Sequence, residues 1–394
     1  MTAAVYPPNP AMRMADIEPF HVMEMMARAA ELERQGRDII HMEVGEPDFT
    51  TAEPIIAAGM AALRSGQTHY TLATGRSALK EAVAHWYQSR YRTEVPARRI
   101  LIAVGASGAL QSVFWSLLNP GDEVLLGDPG YPCNQNFVRL AGAVPILLPT
   151  RADNGWKLTA DQVRSAISPK TRALLIASPN NPTGTVMTRD ELTGIAAICR
   201  DRGVALIVDE IYSGLIYDLP DFTACELGPE VFVINSFSKY FGMTGWRLGW
   251  VVCPETFIRP LEKLAQNLFI SPPTMAQHAA EAAFLPHTIE VLEQRRQQFR
   301  QRRDFLLQEL PALGFKISRV PDGAFYLFLD IRPFGLSSQQ FSQHMLEHAG
   351  VAITPGIDFS QHYGNDYVRL AYTTELDRLQ QAISHIGEAL TLLG

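Results

Sequence analysis

The sequence predicts an α/β protein with a large domain, built on a mainly parallel seven-stranded sheet covered by helices, and a smaller α+β domain formed by the N- and C-terminal parts. Between residues 100 and 253, seven short apolar runs alternate with helical patterns, which is typical of parallel strands with helices on both faces. After residue 255 the alternation stops, and a long charged amphipathic pattern follows, as expected of a helix that connects two domains. We therefore predict an N-terminal arm and helix (1–45) that pack with the small domain, a large domain (46–285), and a small domain with its connecting helix (286–394).

Each predicted strand of the large sheet is an apolar run bounded by turn residues. The runs lie at 100–104, 123–127, 144–148, 173–177, 205–208, 231–234 and 248–252. Apolar residues at helical spacing predict helices over 16–36, up to about residue 90, over 110–118, over 255–285 with a break at 271–273, and over about 287–309. Strands of the small domain are predicted at 315–320, 323–329 and 367–372. Residues 1–15, rich in proline and methionine, are predicted to form an arm that is disordered or lies on a partner subunit.

Composition and charge exclude several classes of protein. The 394 residues are 47% hydrophobic and 19% charged, as is usual for a globular enzyme. The net charge of −7 argues against a nucleic-acid-binding surface, which needs clustered lysine and arginine. No run of eighteen apolar residues predicts a membrane helix, and the N-terminus lacks a signal-peptide pattern. The four cysteines are far apart, so we expect no metal site, no disulfide framework and a cytoplasmic location.

One stretch combines a lysine with groups that suit a phosphate. Lys239 follows an apolar run, where burial and neighbouring cations can lower the pKa of its amine and make it a nucleophile. The hydroxyls of Ser236 and Ser238 and the guanidinium of Arg247 are typical phosphate ligands. A cofactor with an aldehyde and a phosphate, such as pyridoxal 5'-phosphate (PLP), fits this combination. The structural alternative is a surface loop with a solvated lysine and an arginine in a salt bridge.

Other strand ends carry groups that suit the same cofactor, and ligands of parallel sheets bind at that edge. Ser107 lies in a turn of small residues that leads into the helix predicted over 110–118, where free N–H groups favour phosphate. Tyr131 offers a flat ring for stacking, or is simply packed. Asp209 needs a cation, either a protonated pyridine nitrogen or a structural ion pair. Asn181 lies in a rigid turn after a further strand, and Lys239 follows another. Five strand ends therefore carry groups that suit the same ligand.

These motifs resemble those of the fold-type I PLP enzymes of aminotransferase class I/II, in the family's order and over nearly the whole chain. The resemblance rests on Gly45 in Gly-Glu-Pro-Asp-Phe, on Asn181 in Asn-Pro-Thr-Gly, on Asp209 with Tyr212 three residues later, and on the Lys239 stretch. It implies that PLP is the cofactor and that the large domain binds it. The implied cofactor-binding residues are Tyr70, Ala106, Ser107, Tyr131, Asn181, Asp209, Tyr212, Ser236, Ser238, Lys239 and Arg247.

The resemblance also implies roles for individual residues. Lys239 would hold PLP covalently and then move a proton as general acid and base. Asp209 would bind the ring nitrogen, and Tyr70 would reach the phosphate of the other subunit in a homodimer with shared active sites. Gly45, Asn181 and Arg369 would bind the substrate, with the guanidinium of Arg369 on its α-carboxylate. From the residues alone, a lone arginine in an apolar strand such as Arg369 is often part of a buried ion pair, and it can also grip a carboxylate.

The activity expected from the resemblance is ping-pong transamination between an amino acid and a 2-oxo acid. Aspartate, alanine or an aromatic or neutral amino acid is the expected donor, and 2-oxoglutarate or pyruvate the acceptor. A PLP-dependent C–S β-lyase or an aminocyclopropane-carboxylate-synthase-like enzyme on the same scaffold is the main alternative. A regulator with a DNA-binding extension, and a binding protein with a vestigial site, are further alternatives. Fewer than fifty residues precede Gly45, and Lys239, Asp209, Asn181 and Arg247 are intact, which argues against both.

Overall fold

A computed structural model describes residues 9–393 of the chain. The strands are β1 (Ile40–His41), β2 (Ile100–Ala103), β3 (Glu123–Asp128), β4 (Val144–Pro149), β5 (Thr171–Ala177), β6 (Ala205–Asp209), β7 (Phe232–Ser236), β8 (Gly249–Val252), β9 (Tyr326–Asp330), β10 (Val351–Ala352), β11 (Thr354–Pro355) and β12 (Tyr367–Ala371). The α-helices are α1 (His21–Arg34), α2 (Glu53–Arg64), α3 (Ser77–Tyr91), α4 (Gly105–Leu117), α5 (Cys133–Leu140), α6 (Ala160–Ala166), α7 (Arg189–Arg202), α8 (Glu255–Leu268), α9 (Thr274–Glu281), α10 (Pro286–Glu309), α11 (Ser338–His344) and α12 (Leu376–Leu390).

The large sheet has seven strands in the order β2-β8-β7-β6-β5-β3-β4, as the alternation predicts. Strands β3 to β7 pair in parallel, and β8 is antiparallel to both of its neighbours. Because β2 is antiparallel to β8, it runs in the same direction as the parallel strands. The carboxyl ends of six strands therefore meet at one edge of the sheet.

The strands of this sheet are apolar throughout because both faces are covered. Leu174 and Val233 join the hydrophobic cluster on one face, while their neighbours Leu175 and Ile234 join the cluster on the other. This alternation follows from the two-residue period of a strand. Helix α4 packs against α8 on one side, and α3 packs against α9 on the other. The α/β fold predicted from the sequence is confirmed.

The N-terminal and C-terminal parts of the chain pair with each other. Strand β1 is parallel to β10, with Ile40 opposite Val351. Strands β11, β12 and β9 form a separate antiparallel sheet. Both small sheets lie outside the large one, so the smaller α+β unit draws on both ends of the chain. The exact domain bounds stay a prediction.

Helix α1 begins at His21 rather than at residue 16. The backbone N–H groups of His21 and Val22 each donate to the carboxylate of Asp358 at 2.9 Å, which fixes the first turn at this point. Before it, Met12–Asp16 form a short 3₁₀ helix. Residues 1–8 of the predicted arm lie outside the described residues.

The predicted strand at 315–320 is wrong. Only Lys316 makes a strand-like bridge, to Asp330, and the rest of the segment is irregular. Pro321 follows directly and has no N–H to donate, which ends pairing at this edge. The predicted strands at 323–329 and 367–372 correspond to β9 and β12, and the long helix to α10. None of the described helices is long and apolar enough to cross a membrane.

Candidate active site

A cavity of about 460 Å³ opens at the edge of the large sheet where the six strands end. Strands β2, β5, β6 and β7 each lead into residues that line it. Twelve residues predicted from the sequence meet there: Gly45, Ala106, Ser107, Tyr131, Asn181, Asp209, Tyr212, Ser236, Ser238, Lys239, Arg247 and Arg369. The residues singled out in the sequence therefore lie together, at the edge of the sheet where ligands of such folds bind.

Lys239 carries the amine that faces the cavity. Its Nζ donates to the backbone oxygen of Gly45 at 2.5 Å. The pKa of Lys239 is lowered to about 8, mainly by burial; the carboxylate of Glu46 opposes the shift, and the cationic Arg369 and Arg247 add to it. A substantial fraction of the amine is therefore neutral near physiological pH and can attack a carbonyl carbon.

Asp209 is a buried carboxylate at the end of β6. Its Oδ1 accepts the N–H of Ile211 at 3.1 Å, and no lysine or arginine among residues 9–393 forms an ion pair with it. Burial raises the pKa of Asp209 to about 7, which the backbone hydrogen bond only partly offsets. A buried acid without a cation is costly, so the geometry fits a ligand that brings a positive charge to this point.

An anion site lies between β7 and the start of α4. The hydroxyls of Ser236 and Ser238 are 3.0 Å apart, and the guanidinium of Arg247 donates to the backbone oxygen of Thr244 at 3.0 Å. Arg247 has a φ of 56°, a conformation that is strained for a residue with a side chain. A Cβ on Gly105 would lie 2.8 Å from Arg247 Nη2, so only glycine lets the guanidinium approach the helix N-terminus this closely. These groups, unpaired with any carboxylate in the described chain, suit a phosphate.

A second guanidinium, that of Arg369 on β12, lies at another wall of the cavity. Its Nη1 donates to Asn181 Oδ1 at 3.0 Å, and its Nη2 donates to the backbone oxygen of Glu43. The rings of Tyr326 and Phe359 lie 4.4 and 4.6 Å from its central carbon. Arg369 is buried and forms no ion pair within the described residues, so the ion-pair alternative from the sequence is wrong. A buried, unpaired guanidinium suits a carboxylate.

Tyr326 lines the same cavity but was missed by the sequence analysis. Its hydroxyl lies 2.8 Å from that of Tyr212, and a Cβ on Gly45 would come within 2.1 Å of it. Gly45 is therefore required for this close approach. Tyr326 and Arg369 share one face of the small sheet, because Ala371 pairs with Tyr326 two residues from Arg369. The strand register between β9 and β12 is the signal that could have identified it.

The cavity-facing side of α1 was also missed. The helical pattern over 16–36 has apolar positions at Val22, Met25, Met26, Ala29 and Leu32. In the structure Val22 and Met26 line the cavity, whereas Met25, Ala29 and Leu32 pack in a cluster with Leu346. Phe20 and Met23 complete the cavity wall. The helical period of a sequence identifies the apolar positions, but it does not show which of them face the cavity and which pack against the rest of the protein.

The turn that carries Tyr131 is attached to the loop that anchors α1. Gly130 donates its backbone N–H to Phe359 O at 2.9 Å, and the buried carboxylate of Asp128 accepts hydrogen bonds from His362. Because Asp358 holds α1, one loop fixes both the helix and the Tyr131 turn.

Tyr70 does not lie in this cavity. It is 78% exposed and lines a separate cavity with Arg76 and His278. Its predicted contact is with the other subunit's phosphate, and that role stays a prediction.

Residues 37–386 match the family described as "Aminotransferase class I and II". The chain belongs to this family. It is an aminotransferase, an enzyme that transfers nitrogenous groups, as its relatives support.

Two relatives illustrate how much of the chain is shared. The chain is 36% identical to the valine–pyruvate aminotransferase of Mycobacterium tuberculosis, over 95% of this chain and 97% of that protein. It is also 36% identical to the (5-formylfuran-3-yl)methyl phosphate transaminase of Methanocaldococcus jannaschii, over 96% of this chain and 98% of that one. These relatives are aminotransferases, and nothing in the comparisons favours the lyase or synthase alternative.

Solved structures agree with the fold. The crystal structure of an aminotransferase from Mycobacterium tuberculosis superposes with a TM-score of 0.94 at 36% identity, covering 98% of this chain and all of that one. Aspartate aminotransferase from Thermus thermophilus with maleate gives a TM-score of 0.92 at 34% identity, covering 97% of this chain and all of that one.

Proposed function

We propose that the protein is a PLP-dependent amino acid:2-oxo acid aminotransferase that works by ping-pong transamination. The observation that carries this proposal is the cavity itself. One wall has an amine of lowered pKa, Lys239, and others have the unpaired carboxylate Asp209 and the anion site around Arg247. Arg369 supplies a further, separate anion site.

The residues fit PLP because each of its charged ends has a matching group. Asp209 would hold a protonated ring nitrogen, which offsets the cost of its buried charge. The hydroxyls of Ser236 and Ser238, the guanidinium of Arg247 and the first turn of α4 (Ala106 and Ser107) would hold the phosphate. When bound, PLP supplies an aromatic ring that accepts the electrons released at the substrate Cα.

The chain's own residues then orient the substrate and move its proton. Arg369 and Asn181 would grip the α-carboxylate and so orient the substrate in the cavity that Lys239 also lines. Lys239 Nζ would act as general base when it takes the proton from the substrate Cα. It would then act as general acid when it donates that proton again. Tyr131 would stack on the ring, and the hydroxyl of Tyr212 and the amide of Asn181 would donate to its phenolic oxygen.

We further propose a cytoplasmic homodimer whose subunits share active sites. Tyr70 and Leu72 are large apolar residues that are mostly exposed, and Ile270 is exposed as well. Such residues are typical of a surface that another subunit covers. In that arrangement Tyr70 would reach the partner's phosphate site. The four cysteines are free, which is consistent with a reducing compartment.

The test is an absorbance spectrum of the purified protein with PLP, before and after adding single amino acids without an acceptor. A visible band that shifts to the amine form of the cofactor, with release of the matching oxo acid, is the expected result. A band that persists while ammonia and pyruvate accumulate would instead indicate a lyase.

Lys239→Ala should lose the covalent link to PLP and essentially all turnover, because no other described amine lines the cavity. Steady-state transamination measures the loss. Lys170→Ala is the matched control, since Lys170 is exposed and precedes β5 at the opposite edge of the sheet. Turnover of Lys239→Ala near the wild-type rate would overturn the assignment.

A further inference from the structure

We infer that this aminotransferase takes amino acids with uncharged, apolar side chains, which bind against the cavity face of α1. The inference rests on the proposed function and adds the class of donor to it.

The charges of the cavity provide the first argument. Three cations line it, and the proposed mechanism uses all three: Lys239 for chemistry, Arg247 for phosphate and Arg369 for the α-carboxylate. Within the described residues of this chain, none is left to neutralise a second substrate carboxylate. Glu46 also lines the cavity and hydrogen-bonds to Thr244, so the field there opposes a further negative charge.

The apolar part of the cavity lining provides the second argument. Phe20, Val22, Met23 and Met26 of the α1 region line the cavity with apolar side chains, and Ile211, just after β6, adds another. Burying a carboxylate or ammonium against such a wall is costly, whereas an aliphatic or aromatic side chain gains from losing contact with water. Methionine side chains are flexible and polarisable, and therefore adapt to apolar groups of different shape.

The anchoring of α1 provides the third argument. Asp358 binds the N–H groups of His21 and Val22, so the start of α1 is held in place beside the cavity that Arg369 and Lys239 also line. A substrate whose α-carboxylate lies on Arg369 would thus point its side chain at a wall that is already in place.

The first experiment uses the PLP-bound enzyme and measures the rate of its half-reaction with single amino acids. We expect leucine, methionine or phenylalanine to react at least ~10-fold faster, per unit concentration, than aspartate, glutamate or lysine, since apolar pockets discriminate by about this factor or more. Equal rates, or a preference for aspartate, glutamate or lysine, would overturn the inference while leaving the proposed function intact. Failure of every amino acid, alanine included, would overturn the proposed function itself.

The second experiment changes the wall. Met26→Arg should lower the rate with leucine at least ~10-fold and raise the ratio of aspartate to leucine, while alanine, which does not reach the wall, is affected least. Ala30→Arg is the matched control, because Ala30 is exposed on the same helix and adds the same charge away from the cavity. Met26→Ala covers the case in which the arginine variant does not fold, and it should reduce the preference for leucine over alanine. Unchanged donor ratios in a folded Met26 variant would contradict the assignment of the wall.

Discussion

At the scale of single residues, the site keeps an acid and a base in an environment that disfavours both charges. Burial raises the pKa of Asp209 to about 7 and lowers the pKa of Lys239 to about 8. Neither group has an ion-pair partner in the described chain, so each costs stability in the protein without cofactor. This loss of stability is consistent with two groups whose role is to bind a ligand rather than to stabilise the fold.

Asp209→Asn tests this cost. The pKa of Asp209 is higher folded than unfolded, so the folded state binds more protons and stability falls as pH rises from about 4 to about 7. Without cofactor, the variant should be more stable than wild type at pH 8, by on the order of 1–3 kcal/mol, and the difference should shrink toward pH 5. Denaturant unfolding at the two pH values measures this.

The same substitution should weaken PLP binding at least ~10-fold, because the asparagine cannot pair with a cationic ring nitrogen. Asp201→Asn is the control, since Asp201 is exposed at the end of α7 and outside the cavity. A variant that binds PLP as tightly as wild type would contradict the role of Asp209.

The sequence identified most of the polar residues of the site because they follow buried strands. Asp209 and Lys239 stand out as charges beside apolar runs, and the parallel sheet brings their strand ends together. Tyr326 could not be identified in this way, since its place beside Arg369 depends on the pairing of two strands about forty residues apart. An aromatic residue in an apolar strand does not by itself indicate whether it lines a site or packs in the core.

At the scale of elements, α1 is positioned by its first turn. The carboxylate of Asp358 is buried and accepts hydrogen bonds from two of the four N–H groups that a helix start leaves without partners. The sequence predicts the apolar side of this helix but not its first residue, because the capping group lies more than 330 positions away. For segment 315–320 the sequence predicts a strand that the structure does not contain. Its residues favour a strand locally, but only Lys316 finds a partner, Asp330.

Asp358→Ala should destabilise the protein by about 1–2 kcal/mol, the usual cost of losing a helix cap. It should also raise the KM for leucine several-fold and change kcat with alanine little, because the wall moves while Lys239 and Arg369 stay in place. Steady-state kinetics with both donors measure the split.

Thr188→Ala is the comparison, since Thr188 caps α7 through Glu191 on the surface. It should cost similar stability and leave both KM values unchanged. An Asp358→Ala variant with the kinetics of Thr188→Ala would show that Asp358 supports the fold alone.

At the scale of the whole molecule, the site exists only when distant parts of the chain meet. The large sheet supplies Asp209 and Lys239, whereas Arg369 comes from β12 and Gly45 from the segment after β1. A ligand that binds this cavity binds the folded state alone, so cofactor binding and global stability are linked.

Free PLP at about 100 times its Kd should raise the free energy of unfolding by about 2.7 kcal/mol over the cofactor-free protein. Thermal unfolding across a PLP titration measures this increase. Inorganic phosphate is the control, because it fills the anion site but cannot link to Lys239 or pair with Asp209. A melting temperature independent of PLP would mean that the cavity does not bind it.

The contact between Asp358 and α1 has a consequence for how such a protein can diversify. The Asp358 carboxylate accepts its hydrogen bonds from α1 through backbone N–H groups, which every residue except proline possesses. Side chains on the open face of the helix can thus be exchanged, by natural drift or in a designed library, without loosening its attachment. Substitutions on this helix face can therefore change the preference for the donor amino acid while the backbone anchor at Asp358 and the groups around Lys239 stay the same.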